Sequence, residues 1–186
     1  MRLFAAVELP GPVRLGLGRR VERARSRFPS ASWVKPENLH ATLAYVGEAG
    51  EAEVAAARAA LLPACAAQAP IAAATGGAGA FPERGPVRVI WIALEPAAAL
   101  SELAAVARGA LATAGVRFDE RPFQAHVTIA RARSPWPASW RDGLAPLATD
   151  PAAFAIAEVV LLDSELAPGG SIYRRVAEFP LEARAA

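Results

Sequence analysis

The apolar and polar positions alternate along this chain in a way that predicts about a dozen short elements. Residues 2–9 (RLFAAVEL) are apolar nearly throughout, as in a strand covered on both faces. Gly11 and Pro12 open a helix in which Val13, Leu17, Val21, Ala24 and Phe28 recur at helical spacing, with arginines 14, 19, 20, 23 and 25 mostly off that stripe. Residues 30–34 predict a short extended piece and Pro36-Glu37-Asn38 a turn. A strand follows over 39–46, closing at Gly47. Residues 51–67 are alanine-rich and helical, ending near Pro70. A strand over 71–80 has a glycine-rich end, and 81–86 (FPERGP) form a turn. Residues 87–94 (VRVIWIAL) predict another strand. A helix from Ala97 to Ala114 carries Leu100, Leu103, Ala107 and Leu111 on one face and is capped by Gly115. An extended link containing Pro122 leads to a strand over 126–131. The segment from Ser134 to Asp150, rich in Pro and Trp, has room for one short helix. Two final strands, near 153–163 and 171–179, flank a Pro168-Gly169-Gly170 turn.

The order repeats. A shift of 86 residues carries Arg2 onto Arg88, Pro10 onto Pro96, His40 onto His126 and Thr42 onto Thr128. Strand, helix and a strand opening His-x-Thr occur twice without an insertion, and the match thins after the second histidine. Two similar lobes, each offering one His-x-Thr strand across a shared cleft, are the simplest account.

Composition adds limits. A chain of 186 residues, 54% apolar, suits one domain or two small lobes with a common core and lacks the signature of disorder. Much of the apolar count is alanine, so a modest core of Leu, Val, Ile and aromatic positions is expected. The net charge of +2 permits an anionic ligand without demanding one. Lys35 is the only lysine; the arginine bias reads first as genomic composition. The single cysteine, Cys65, excludes an internal disulfide framework and a cysteine metal cluster, and it reads as a small buried residue. No signal peptide or membrane-spanning run is visible, so a soluble, cytoplasmic, monomeric protein without membrane contact is the expectation.

His40-Ala41-Thr42 and His126-Val127-Thr128 use both histidines of the chain. In a strand, side chains two apart share a face about 7 Å apart, which leaves room for a phosphate between imidazole and hydroxyl. Two histidines across a cleft suit one general base and one general acid near neutral pH, the pair that phosphate ester cleavage requires. They make a poor zinc site, and no metal or other cofactor is implied. One His-x-Thr triplet alone is better read as a structural histidine; two at equivalent repeat positions point to shared catalysis. Arg131 lies at an odd offset from His126, so a regular strand turns it away from the cleft toward a surface salt bridge, unless the strand end twists. Tyr45, Phe81, Trp91, Trp136 and Tyr173 are candidates to stack on a base, though each also reads as a core or rim aromatic. Asp163 and Glu165 read as turn residues at a strand end.

With the triplets placed, the chain resembles the 2H phosphoesterase superfamily, and within it the RNA 2′,3′-cyclic phosphodiesterases once called 2′-5′ RNA ligases. The resemblance runs nearly end to end, carried by RLFAAVELP, WVKPENLHATLAYVG, GAFPERGPVRVIW, FQAHVTIAR and LLDSELAPGGSIYRRV. It implies a bilobal α+β fold with two antiparallel sheets lining a central cleft and helices outside. It implies metal-independent opening of a 2′,3′-cyclic phosphate at an RNA end, tRNA-like fragments included, to leave a 2′-phosphate, together with reversible 2′-5′ joining of RNA ends. By resemblance, His40 is the proton donor to the leaving 3′ oxygen and His126 activates water. Thr42, Thr128 and Arg131 would hold the phosphate. Ala41, Tyr45-Val46 and Ala125 depart from the family's usual leucine, phenylalanine and proline and bear on substrate fit. Hydrolysis of small cyclic or 2′-5′ linked nucleotides and a non-catalytic RNA-binding module are the competing readings.

Overall fold

A computed structural model describes residues 1–25, 31–136, 138–147, 151–167 and 170–183. Among the described residues, nine strands form two antiparallel sheets, and three helices cover their outer faces. Sheet A has the strand order β3 (His40–Glu48), β1 (Arg2–Glu8), β8 (Glu158–Ala167), β9 (Gly170–Pro180), and sheet B the order β2 (Ala31–Trp33), β6 (His126–Trp136), β5 (Val87–Glu95), β4 (Ile71–Phe81), β7 (Ala153–Ile156).

β1 (Arg2–Glu8) is buried over its middle five residues. Its two faces serve different clusters. Leu3, Ala5 and Val7 join the main core, whereas Phe4 and Ala6 join Val160, Leu162 and Tyr173 in a small second cluster. That second cluster is the cleft side of sheet A. α1 (Gly11–Arg25) buries Val13, Leu17, Val21 and Ala24 as its apolar stripe predicts, and Arg20 as well. A long arginine stem can lie along an apolar surface, which a count of charges does not reveal. Phe28, Ser30 and the turn at Pro168-Gly169 lie outside the described residues.

β2 (Ala31–Trp33) is short and leads through the 3-10 turn Pro36–Asn38 into β3 (His40–Glu48). Gly47 does not end β3; it takes a positive φ of 85° inside the strand. α2 (Glu51–Ala66) starts where the Glu53 carboxylate accepts the Gly50 N–H, a charge-assisted cap of the first turn. β4 (Ile71–Phe81) and β5 (Val87–Glu95) form a hairpin pair. Gly79 stands opposite Trp91, and a Cβ there would fall 2.1 Å from the indole. Only glycine lets the indole lie flat across the neighbouring strand. α3 (Ala97–Thr113) buries Leu100, Leu103, Ala104, Ala107 and Leu111, and Gly115 ends it at φ 73°. α2 and α3 pack together on the outside of sheet A, and α1 packs outside sheet B against the 3-10 segment Ala138–Leu147.

β6 runs from His126 to Trp136, five residues past its predicted end. The stretch read as one strand over 153–163 is two. β7 (Ala153–Ile156) joins β4 in sheet B, and β8 (Glu158–Ala167) joins β1 in sheet A. The chain changes sheets at Ala157 with no glycine or proline to mark it. β9 (Gly170–Pro180) closes sheet A.

The 86-residue shift is visible in the strands. It carries β1 onto β5, α1 onto α3 and β3 onto β6. It also carries β4 onto 157–167, the position of β8. The central trio β3-β1-β8 of sheet A therefore corresponds to β6-β5-β4 of sheet B. In each copy the later strand crosses to the other sheet, so the lobes are interleaved. Among the described residues, no helix is long and apolar enough to cross a membrane.

Candidate active site

The cleft between the sheets holds a cavity of about 150 Å³ lined from sheet A by Phe4, His40, Thr42 and Tyr45 and from sheet B by His126, Thr128 and Arg131. All five predicted site residues therefore meet in one place. Trp136 is buried in the core, and Trp91 lies beside His126, ring centroids 6.1 Å apart, outside the lining of the cavity. Tyr45 and Tyr173 line the cavity. Phe81 meets His126 edge-on at 5.1 Å and lines an adjoining groove of about 410 Å³ that extends past Phe123, Gln124 and Arg121. Asp163 and Glu165 lie inside β8, not at its end. Asp163 accepts the Arg2 N–H, and Glu165 pairs with Arg174. Cys65 is buried, and burial pushes its thiol up to about 11.

The position of Arg131 corrects the regular-strand expectation. In β6, Trp91 pairs with Thr128 and Ile90 with Ala130, leaving Ile129 without a partner in β5. This β-bulge shifts the phase of the strand by one residue. Two successive residues, Ile129 and Ala130, turn inward, and Arg131 comes out on the face of His126 and Thr128. The same happens in β3. Ala6 pairs with Thr42 and Ala5 with Ala44, so Leu43 is the extra residue and Tyr45 returns to the cleft. Leu43 and Ile129 are repeat equivalents, as are Tyr45 and Arg131.

Both imidazoles are aimed by the backbone two residues earlier. The Nδ1 of His40 lies 2.7 Å from the Asn38 carbonyl, and that of His126 lies 2.8 Å from the Gln124 carbonyl. A carbonyl only accepts, so Nδ1 carries the proton and Nε2 is left for chemistry in both rings. Nε2 of His40 is 3.1 Å from the Thr42 hydroxyl. Phe4 and Tyr173 wall the His40 ring, with centroids at 4.9 and 5.1 Å. Asn38 and Gln124 escape a reading of side-chain chemistry because each aims its histidine through a main-chain oxygen. Their only signal is that they are repeat equivalents.

Burial lowers His40 from its ordinary 6.5; the Asn38 carbonyl and the charge of Glu8 oppose that, and Arg131 and His126 add to it. Burial also lowers His126, opposed by the Gln124 carbonyl and assisted by Arg131. The site thus favours neutral rings, and the charge of Glu8 acts on the His40 ring. No three His, Cys, Asp or Glu side chains gather to hold a metal ion among the described residues.

A family model described as the 2′-5′ RNA ligase superfamily matches residues 14–167. The chain belongs to that superfamily, a branch of the 2H phosphoesterases. Two curated relatives, both named RNA 2′,3′-cyclic phosphodiesterase, extend the match. The Geobacillus stearothermophilus protein is 32% identical over 178 residues, covering 96% of this chain and 56% of the relative. This chain thus spans little more than half of that protein. The Methanothermobacter thermautotrophicus protein is 30% identical over 186 residues, covering 97% of this chain and 99% of the relative. A crystal structure from Thermus thermophilus superposes over 100% of both chains with a TM-score of 0.81 at 30% identity. Apo LigT of E. coli superposes over 98% of both chains with a TM-score of 0.72 at 26% identity. The superfamily fold, an α+β pair of antiparallel sheets with helices outside, is the fold described above.

Proposed function

We propose that this 2′-5′ RNA ligase superfamily member is a metal-independent RNA 2′,3′-cyclic phosphodiesterase that leaves a 2′-phosphate. The single observation that carries the reading is the pairing of His40 and His126, from opposite sheets, in one cavity with Thr42, Thr128 and Arg131. The names of the curated relatives support the same reading.

The cyclic phosphate sits between the two His-x-Thr strands. The Thr42 and Thr128 hydroxyls donate to its non-bridging oxygens, and the Arg131 guanidinium offers a planar fork to the same charge. Nε2 of His126, a free acceptor, takes a proton from water as the water oxygen attacks phosphorus. The bond from phosphorus to O3′ breaks, and O3′ takes the proton from Nε2 of His40. The product is a 2′-phosphate beside a 3′-hydroxyl, with the proton transferred from one imidazole to the other. Exchange with solvent restores the starting state. With a ribose 5′-hydroxyl in the place of water, the same forward step joins two RNA ends through a 2′-5′ bond, and its reversal cleaves that bond to re-form the cyclic phosphate.

The test is product analysis on RNA ending in a 2′,3′-cyclic phosphate with a chelator present. A 2′-phosphate product is expected. Replacing His126 by Ala is expected to lower turnover by about 10²- to 10⁴-fold, the usual contribution of one proton-transfer group. Unchanged turnover in that variant, or cyclic ends that survive while RNA stays bound, defeats the reading.

A further inference from the structure

The two sides of the cleft share a histidine, a threonine and a bulge, but they differ in charge. Across the β1–β3 ladder, Glu8 stands directly opposite His40. Directly opposed residues of an antiparallel pair share a face, so the carboxylate lies on the cleft side beside the imidazole. Arg175 of β9 holds that carboxylate from the same face, with Nε donating to Glu8 Oε2 at 2.8 Å. The same guanidinium also pairs with Glu178 and, at 3.2 Å, with Glu158. One positive charge therefore serves three carboxylates, and the end of sheet A behind His40 carries a net negative charge. Among the described residues, sheet B has no counterpart to this set. The residue opposite His126 across the β5–β6 ladder is Ala93, and the charge acting on His126 is that of Arg131.

We propose that Glu8 is a positioning residue that fixes the division of labour between the histidines. Its carboxylate, moderated by Arg175, holds His40 as the proton-bearing acid, while His126, which shares the opposing charge of Arg131 but lies opposite Ala93, stays neutral as the base. The inference rests on the two-histidine mechanism proposed above and deepens it. A cleft with perfect two-fold symmetry would share its proton between the rings, and half of the molecules carrying one proton would have base and acid exchanged. A difference of one pH unit in acidity puts about ten in eleven in the productive form.

The groups facing His40 are Glu8 from β1, Thr42 and Tyr45 from its own strand, Tyr173 and Arg175 from β9, and His126 and Arg131 across the cleft. Among the charged members of that set only Glu8 favours the imidazolium directly. Arg175 acts against it by satisfying Glu8. The two variants of one ion pair are therefore predicted to move His40 in opposite directions, which loss of packing cannot do.

The experiment is an NMR titration of the two imidazoles, assigned with the His126→Ala variant, alongside the pH profile of kcat/KM. In the unmodified protein His40 is expected to titrate above His126. In Glu8→Gln it is expected to fall by about one pH unit, with His126 nearly still and the alkaline limb of kcat/KM moving with it. Glu8→Asp is expected to restore the order. In Arg175→Met, His40 is expected to rise. Failure of His40 to move in Glu8→Gln, or movement in the same direction in both charge variants, overturns the proposal. Full turnover in His126→Ala would instead overturn the two-histidine mechanism, and the titrations would still show which ring holds the proton.

Discussion

At the scale of residues, the site depends on two imidazoles kept largely out of water. Each has its folded pKa lowered by burial below the 6.5 of an unfolded chain. Between those values the unfolded chain binds more protons than the folded one, so its stability rises with pH. The contribution is fully present above 6.5 and is lost as pH falls through the folded values. Chemical denaturation at a series of pH values from about 7.5 to 5 is expected to show this loss, and the His40→Ala, His126→Ala double variant is expected to flatten it. The threonines are open to a finer test. Thr128→Val keeps the shape and removes the hydroxyl, and a lost hydrogen bond to a charged group predicts a fall of about ten- to a hundredfold in kcat/KM. The same substitution at Thr42 also removes the hydroxyl beside Nε2 of His40, so its pH profile is expected to change as well.

At the scale of elements, the bulge decides what the cleft contains. The extra residue compensates for the odd offset of Arg131 from His126, so deleting Ala130 removes the bulge and leaves Arg131 at an even offset on the cleft face, and kcat/KM is expected to be largely retained. Arg131→Ala removes the guanidinium and leaves the bulge, and it predicts a fall in kcat/KM of at least about tenfold, with the circular dichroism spectrum of the fold retained. Full activity in Arg131→Ala would show that the guanidinium does not hold the phosphate. The bulge also marks the limit of what the sequence discloses. The two triplets, their shared offset and the strands that carry them are legible because period-two alternation and repetition are properties of the letters. A bulge is not, since LA in LAYVG and IA in IARAR look like ordinary strand residues. Its presence follows from how β1 and β5 pair with these strands, and pairing is a property of the whole sheet. The same holds for Glu8. Its charge is plain at the end of an apolar run, but its place beside His40 is set by register. The split of 153–163 into two strands was hidden for a related reason: both pieces are apolar, and only their partners differ.

At the scale of the whole molecule, the cleft belongs to neither lobe. His40 comes from sheet A and His126 from sheet B, and the helices that cover each sheet lie outside the cleft. Leu100, Leu103 and Leu111 anchor α3 in the core behind sheet A. Truncating Leu103 to Ala is expected to cost about 2–5 kcal/mol of folding stability with kcat unchanged in the molecules that remain folded, measured by denaturation and by activity per folded molecule. The cleft is thereby separable from its support: stability is set behind the sheets, and the proposed chemistry belongs in front of them.

The exchange of β4 and β8 between sheets has a consequence for where this architecture could be cut. A polypeptide ending at the turn before Val87 would carry β4 without the sheet it belongs to, and sheet A would lack β8. Two such pieces, each supplying the other's missing strand, describe an intertwined homodimer whose chains have been joined end to end. Gly85, exposed and at positive φ, sits at the seam. Fragments divided there are expected to be insoluble alone and to recover a working cleft only when produced together, each acting as the template on which the other closes.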